Sequence, residues 1–355
     1  MKRLMTIRKF HLPVLAAALT MLFSTCAHAG TVALLLEEPY GEFGEFNPTG
    51  HAAIYLSDVC ADTPTQLRRC EPGEAGVVLS RYHKIDGYDW LAIPLIPYLY
   101  AVDDPAQIPA SADARMEMRL RDEYRREHLM DVAPDQPKRE IPNGEWIQLV
   151  GESYDRKIYG LAVATTPDRD DALITHFNDR HNVAHFNLLF NNCANFAESV
   201  LNFYYPHAVH RNFIADAGLM TPKQAARSFT AYSKKHPEMD LRTFVIPQVP
   251  GSIHRSTPVD GVLESLVKSK KYMLPLALLH PAVTGTLVAA YWGDGRFHPD
   301  TKAAVFDPER DVTPMQAVPA ITNLTPIVTP VTAVPIEARP VSANAAGASF
   351  TPADN

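Results

Sequence analysis

Cys193 and His51 are the two residues whose types and settings suit them for chemistry. Cys193 follows Asn191-Asn192 and opens the run Cys193 to Phe203, which has a helical apolar period. An Asn cap puts the thiol in the first turn of a helix, where backbone N–H groups are unpaired and the helix dipole is positive. That setting favours thiolate over thiol and predicts a lowered pKa. The same N–H groups can stabilise the oxyanion formed when a sulfur attacks a carbonyl. A thiol nucleophile also needs a base. His51 begins the strand-like run His51 to Leu56, behind a loop punctuated by Gly41, Gly44, Pro48 and Gly50. His51, Ala53 and Tyr55 share one face of that strand, and Ala52, Ile54 and Leu56 share the other. The small alanines leave room for a packed helix or a substrate. The alternative for Cys193 is an inert core cysteine, because Phe196, Ala197, Val200, Leu201 and Tyr204 form the apolar stripe that follows it.

The cysteine count sharpens the question. Residues 1–29 carry a basic start (Lys2, Arg3, Arg8, Lys9), an apolar stretch from Leu12 to Phe23 and the small-residue site Ala27-His28-Ala29, the pattern of an export signal. An exported chain keeps Cys60, Cys70 and Cys193, in a compartment where disulfides persist. Cys60 and Cys70 flank a short polar loop between two strand-like runs and are expected to pair. Cys193 is then left as the odd thiol, available for reaction or for a bridge to another chain.

Composition bounds the rest. The chain has 355 residues, 46% hydrophobic and 21% charged, with a formal net charge of -7. No basic run with interleaved aromatics appears, which argues against nucleic acid as a partner. Strands are expected at Thr31–Leu36, His51–Leu56, Gly76–Tyr82, Trp146–Val150 and Ile158–Thr165, and helices at Asp168–Asn178 and Cys193–Phe203. Trp90 to Tyr100 is broken by Pro94 and Pro97 and reads as extended. Arg115 to Leu129, dense in mixed charge, reads as a solvated surface helix. Residues 251–305 form a hydrophobic helical segment in which Tyr272 to Trp292 carries no charge. Pro275, Pro281 and His280 interrupt it, so a buried or membrane-surface hairpin is expected. From residue 306 onward the Pro/Thr/Ala-rich tail is expected to be disordered.

The motifs Gly50-His51-Ala52-Ala53-Ile54-Tyr55-Leu56 and Phe190-Asn191-Asn192-Cys193-Ala194-Asn195-Phe196, in that order, resemble the permuted branch of the NlpC/P60 papain-like superfamily, which includes lecithin:retinol acyltransferase-like proteins. The resemblance covers about residues 31–206. It implies an α+β fold, an antiparallel sheet packed against a cysteine-bearing helix, with residues 30–250 as the papain-like domain and about 98–143 as an insertion. It also implies a Cys193–His51 pair acting on a peptide or peptidoglycan amide or a lipid ester, without a cofactor. The family's third polar residue, which orients the histidine from the next strand, has Ser80 and His83 as candidates. Asn192 is a candidate oxyanion donor, though capping the helix is its simpler role. His176, His181 and His185 have roughly helical spacing but no carboxylate–His pattern, so no metal is expected. A non-catalytic cell-envelope binding protein on the same fold is the alternative function.

Overall fold

The structure, a computed structural model, describes residues 30–41, 48–83 and 85–311. The expected export signal (1–29) and most of the expected tail (312–355) lie outside them. The fold is mixed α+β. Its centre is a seven-stranded sheet in the order β6-β5-β2-β1-β7-β8-β9, formed by β1 (Thr31–Glu37), β2 (His51–Leu56), β5 (Val77–Ser80), β6 (Leu91–Pro94), β7 (Ile158–Ala164), β8 (Arg242–Ile246) and β9 (Ala304–Val305). Every pairing is antiparallel except β8 with β9. Between β2 and β5, β3 (Val59–Thr63) and β4 (Gln66–Arg69) make a separate hairpin.

Unlike many antiparallel sheets, this one is covered on both faces, which is why β1 and β2 are buried along their whole length. On one face Leu34, Leu36, Ala52 and Ile54 pack with α5 (Cys193–Tyr204) and α6 (Pro222–Ser233). On the other, Ala33, Leu35, Ala53 and Tyr55 pack with α1 (Leu95–Tyr100), with Trp146 and Leu149, and with Tyr154 of α3 (Glu152–Asp155). The helix α4 (Pro167–Asn178) lies against the hairpin: Arg69 Nε pairs with Asp171 at 2.6 Å, and Asn178 Oδ1 accepts from the Leu67 amide at 2.9 Å.

Several expectations need correction. The polar stretch between Cys60 and Cys70 is not a loop but the β3–β4 hairpin, and the disulfide links β3 to the residue that follows β4. Closing so short a loop is expected to contribute about 2–3 kcal/mol. The Cys60→Ser/Cys70→Ser variant should lose that much in urea unfolding, and an unchanged midpoint would refute it. Leu95–Tyr100 is helical despite Pro97, because Pro97 sits in the first turn, where its missing N–H has no intrahelical partner. Glu145–Leu149 is a 3-10 turn rather than a strand, with Trp146 buried. Phe306, placed by sequence in the tail, is buried, and its amide donates to Val245.

The largest correction concerns α2 (Ala114–His128). It is a helix whose one side is solvated, with Arg119 and Glu123 exposed, but whose other side is buried. Arg121 and Arg125 are fully buried, Arg121 bonded to Glu117, Asp155 and the Val150 carbonyl, and Arg125 to Asp122, Asp135 and the Ala133 carbonyl. Part of the mixed charge that looks solvated in the sequence is instead paired inside the fold.

Candidate active site

The site forms where β5 parts from β2. β5 pairs with β2 only at Ile54, Tyr55 and Leu56, so the His51 end of β2 has no ladder partner on that side. The Ser57 amide donates to Thr31, which assigns the odd-numbered amides of β2 to β1 and leaves the Ala52 N–H pointing at the gap. The start of the Cys193 helix packs against β2 there, and the N–H groups of Ala52 and Ala194 lie close enough to the thiol to pull its pKa down. The residue beside His51 in the chain is therefore a neighbour of the cysteine sulfur.

Continuing the register places Tyr82 opposite His51 and Ser80 diagonal to it, and both make contact. The His51 ring stacks on Tyr82 at 4.4 Å and 8° between planes. His51 Nε2 and Ser80 Oγ are 2.8 Å apart, a buried hydrogen bond. Gly50 supplies the turn into the strand with φ +70°, and a Cβ there would fall 2.1 Å from the Glu37 carbonyl oxygen. Gly50→Ala is therefore expected to cost about 1–3 kcal/mol and to displace His51. Chemical denaturation checks the first effect; a variant as stable as the parent would contradict it.

Cys193 opens α5 behind a capping box. Asn192 Oδ1 accepts from the Asn195 amide at 3.0 Å, and the Asn195 side chain accepts from the Asn192 amide at 3.3 Å. Asn192 Nδ2 donates to the carbonyls of Leu188 and Met220 at 2.9 and 3.1 Å. Its amide is thus engaged in shaping the loop, and with the Asn195 N–H taken by the cap, the Cys193 and Ala194 N–H groups are the first-turn donors open to an oxyanion. Arg81, just beyond Ser80, ties the cysteine loop to the sheet: it donates to Asn191 Oδ1 and pairs with Asp89, each at 2.6 Å, and lies over the Phe196 ring.

One expectation fails here, and one open question is settled. α5 packs on the Ala52–Ile54 face, opposite the Ala53–Tyr55 face that His51 shares by alternation. The thiol meets His51's strand at the sheet edge, so the alanine that makes room for the helix is Ala52. The failed expectation is the thiol pKa, which is not lowered. Cys193 is partly exposed as a residue, yet burial of the thiol outweighs the pull of the Ala52 and Ala194 N–H groups, and with Glu37 nearby its pKa is pushed up to about 11. Burial, helped by the Arg156 guanidinium, holds His51 well below the usual imidazole range. Both shifts favour the neutral forms, a thiol at Cys193 and an uncharged imidazole at His51.

Behind His51 lies a group of charged residues that sequence reasoning missed. Glu37, the β1 partner of His51, is fully buried, accepts from the Tyr98 hydroxyl at 2.5 Å and faces Arg156 at 3.3 Å. Arg156 reaches Glu152 at 2.8 Å and covers the Tyr40 ring. Burial pushes the carboxyls of Glu37 and Glu152 up, against the pull of Arg156. The signal for Glu37 was present in the sequence: it continues the period-2 face of Ala33 and Leu35.

The other candidates go elsewhere. His83 is exposed and tilts against Phe186 at 5.2 Å, lining an open cleft with Asp86 and Gly87. His176 contacts Arg180 and stacks on Phe203, and His185 bonds the neighbouring Ala184 carbonyl. His181 is exposed.

No family model and no curated protein matches the chain. Among solved structures, it is similar to the crystal structure of a Type VI secretion system effector, TseH, at 11% identity and a TM-score of 0.28, over 57% of this chain and 89% of that one.

Proposed function

We propose that this protein is an exported cysteine hydrolase or acyltransferase of permuted papain-like architecture, in which residues 30–250 form the catalytic domain and about 98–143 an insertion. Cys193 is the nucleophile, His51 the base and Ser80 the residue that orients it. The observation that carries this is the 2.8 Å bond between Ser80 Oγ and His51 Nε2, on the strand against which the Cys193 helix packs. With Nε2–H donated to Ser80, the Nδ1 lone pair is free to take the thiol proton. Sγ then adds to the carbonyl carbon, and the oxyanion is met by first-turn N–H groups of α5. As the tetrahedral adduct collapses, the leaving amine or alcohol takes the proton from the imidazolium. The thioester passes to water or to a second alcohol or amine.

Peptide or peptidoglycan amides and lipid esters are the substrate classes, with the periplasm or cell envelope as the site of action. Exposed Leu188, Leu189 and Phe190, just before Cys193, favour an acyl chain. No cofactor enters the scheme. An acyl-transfer probe applied to unreduced protein should label Cys193 and leave Cys193→Ala unlabelled, and labelling of both would exclude Cys193. Ser80→Ala should label about tenfold more slowly, the cost of one lost hydrogen bond.

The raised pKa of the Cys193 thiol favours a second reading, a non-catalytic envelope binding protein on the same fold. A wild type inert to amide and ester probes, yet retained on cell-wall material, would establish it.

A further inference from the structure

The uncharged stretch before residue 293 folds as two antiparallel helices, α8 (Lys270–Leu279) and α9 (Pro281–Ala290), following α7 (Val262–Lys268). Contrary to burial in the fold, neither helix has a buried residue. Leu278 and Leu279, at the turn between them, are 77% and 74% exposed, and Tyr272, Leu274, Val283 and Trp292 are exposed as well. Apolar residues on every side of an unshielded hairpin are not the pattern of a water-facing helix, which keeps a polar face.

The two ends of the hairpin differ. Its base is polar and anchored. Lys268 pairs with Asp260 and Glu264, Tyr291 donates to Glu264 at 3.0 Å, and the α7 amides of Val262 and Leu263 are held by Asp216 and Ala215. Each boundary of the apolar stretch carries an aromatic ring under a cation: Tyr272 under Lys271, and Trp292 under Arg296 at 4.7 Å. Aromatic rings with flanking cations mark the level of lipid headgroups. The tip holds only Leu278, Leu279, His280 and Pro281. Ten helical residues reach about 15 Å, half the thickness of a bilayer's hydrocarbon, and no helix among the described residues is long and apolar enough to cross a membrane.

We propose that the α8–α9 hairpin is a monotopic anchor that enters one leaflet of a lipid bilayer tip first, with Tyr272 and Trp292 at headgroup level and Lys270, Lys271 and Arg296 against anionic headgroups. The inference is independent of the Cys193 chemistry. The Asp216–Val262 and Asn192–Met220 bonds tie the loop bearing exposed Phe213 and Ile214 both to the hairpin base and to the start of the cysteine helix. Docking would therefore bring the mouth of the candidate site to the membrane surface.

The full chain, mixed with phosphatidylcholine vesicles with or without phosphatidylglycerol, tests this by flotation and tryptophan emission. Trp90 and Trp146 are buried, so a blue shift reports Trp292. Wild type should float with the anionic vesicles and shift to the blue. Leu278→Glu/Leu279→Glu should bind about a hundredfold less tightly with an unchanged melting curve. Lys270→Gln/Lys271→Gln should lose about fivefold per lysine at low salt, and only on anionic vesicles. A wild type that stays unbound on both vesicles overturns the proposal. So does a concentration-dependent dimer that the glutamate variant dissolves while vesicles are ignored, which would assign the hairpin to a second copy of this chain.

Discussion

Replacing His51 with alanine should slow acylation at pH 7 by about three to four orders of magnitude, and the loss should shrink as pH rises. The size follows from the state of the thiol. With its pKa pushed up to about 11, only about one Cys193 in ten thousand is ionised at neutral pH. Without the imidazole, that fraction is all the nucleophile available, and it grows tenfold per pH unit until the thiol titrates. With His51 as the proposed base, wild type would not depend on it, because a neutral imidazole would take the proton as the bond to carbon forms. His51 is held neutral well below its ordinary pKa, so the wild-type rate should be flat across the neutral range. The measurement is the rate of acyl-probe labelling against pH for wild type and His51→Ala. Equal rates, or parallel profiles, would remove His51 from the mechanism.

Arg156→Met is expected to be the most damaging substitution for stability, by about 3–5 kcal/mol, because it leaves Glu37 and Glu152 buried without their cation. The pH dependence has a definite sign. A carboxyl whose pKa is higher folded than unfolded binds its proton more tightly in the fold. Its contribution to stability then falls as pH climbs from the unfolded value, near 4.5, through the folded one. Burial already raises both glutamates, and removing Arg156 removes the pull that opposes the rise. The deficit of Arg156→Met should therefore be larger at pH 8 than at pH 5, where the two carboxyls can be protonated. Glu117, pushed up to about 7 by burial, slopes the same way in both proteins and cancels in the comparison. Urea titrations of both proteins at the two pH values decide it; a deficit equal at both would show that the glutamates stay ionised without the arginine.

The sequence and the structure agree where pattern is local. β1, β2, β5, β7 and the cysteine helix fall within a residue or two of their expected bounds, because alternation and the Asn192 cap are written into neighbouring residues. Ser80 was in view as a partner for His51 because it lies on the adjoining strand. What escaped is the pairing of charges across the fold. Arg121, Arg125 and Arg156 are indistinguishable from surface residues until tertiary packing supplies Glu117, Asp122, Asp155, Glu152 and Glu37. The same blindness left the α5 face open: strand alternation separates Ala52 from Ala53 but cannot say which of them a helix from 140 residues later will cover. Nor could position at a helix start reveal the burial that reverses its effect on the Cys193 thiol.

The place where one ladder ends has a consequence for the neighbouring helix. In the continuing register Arg81 would face Ala52, two residues beyond the last pair, Ile54 with Leu79. The Ala52 N–H would then go to the Arg81 carbonyl. The Arg81 side chain instead bonds Asp89 and Asn191, so the length of the β2–β5 ladder decides whether that N–H faces a strand or the start of the cysteine helix.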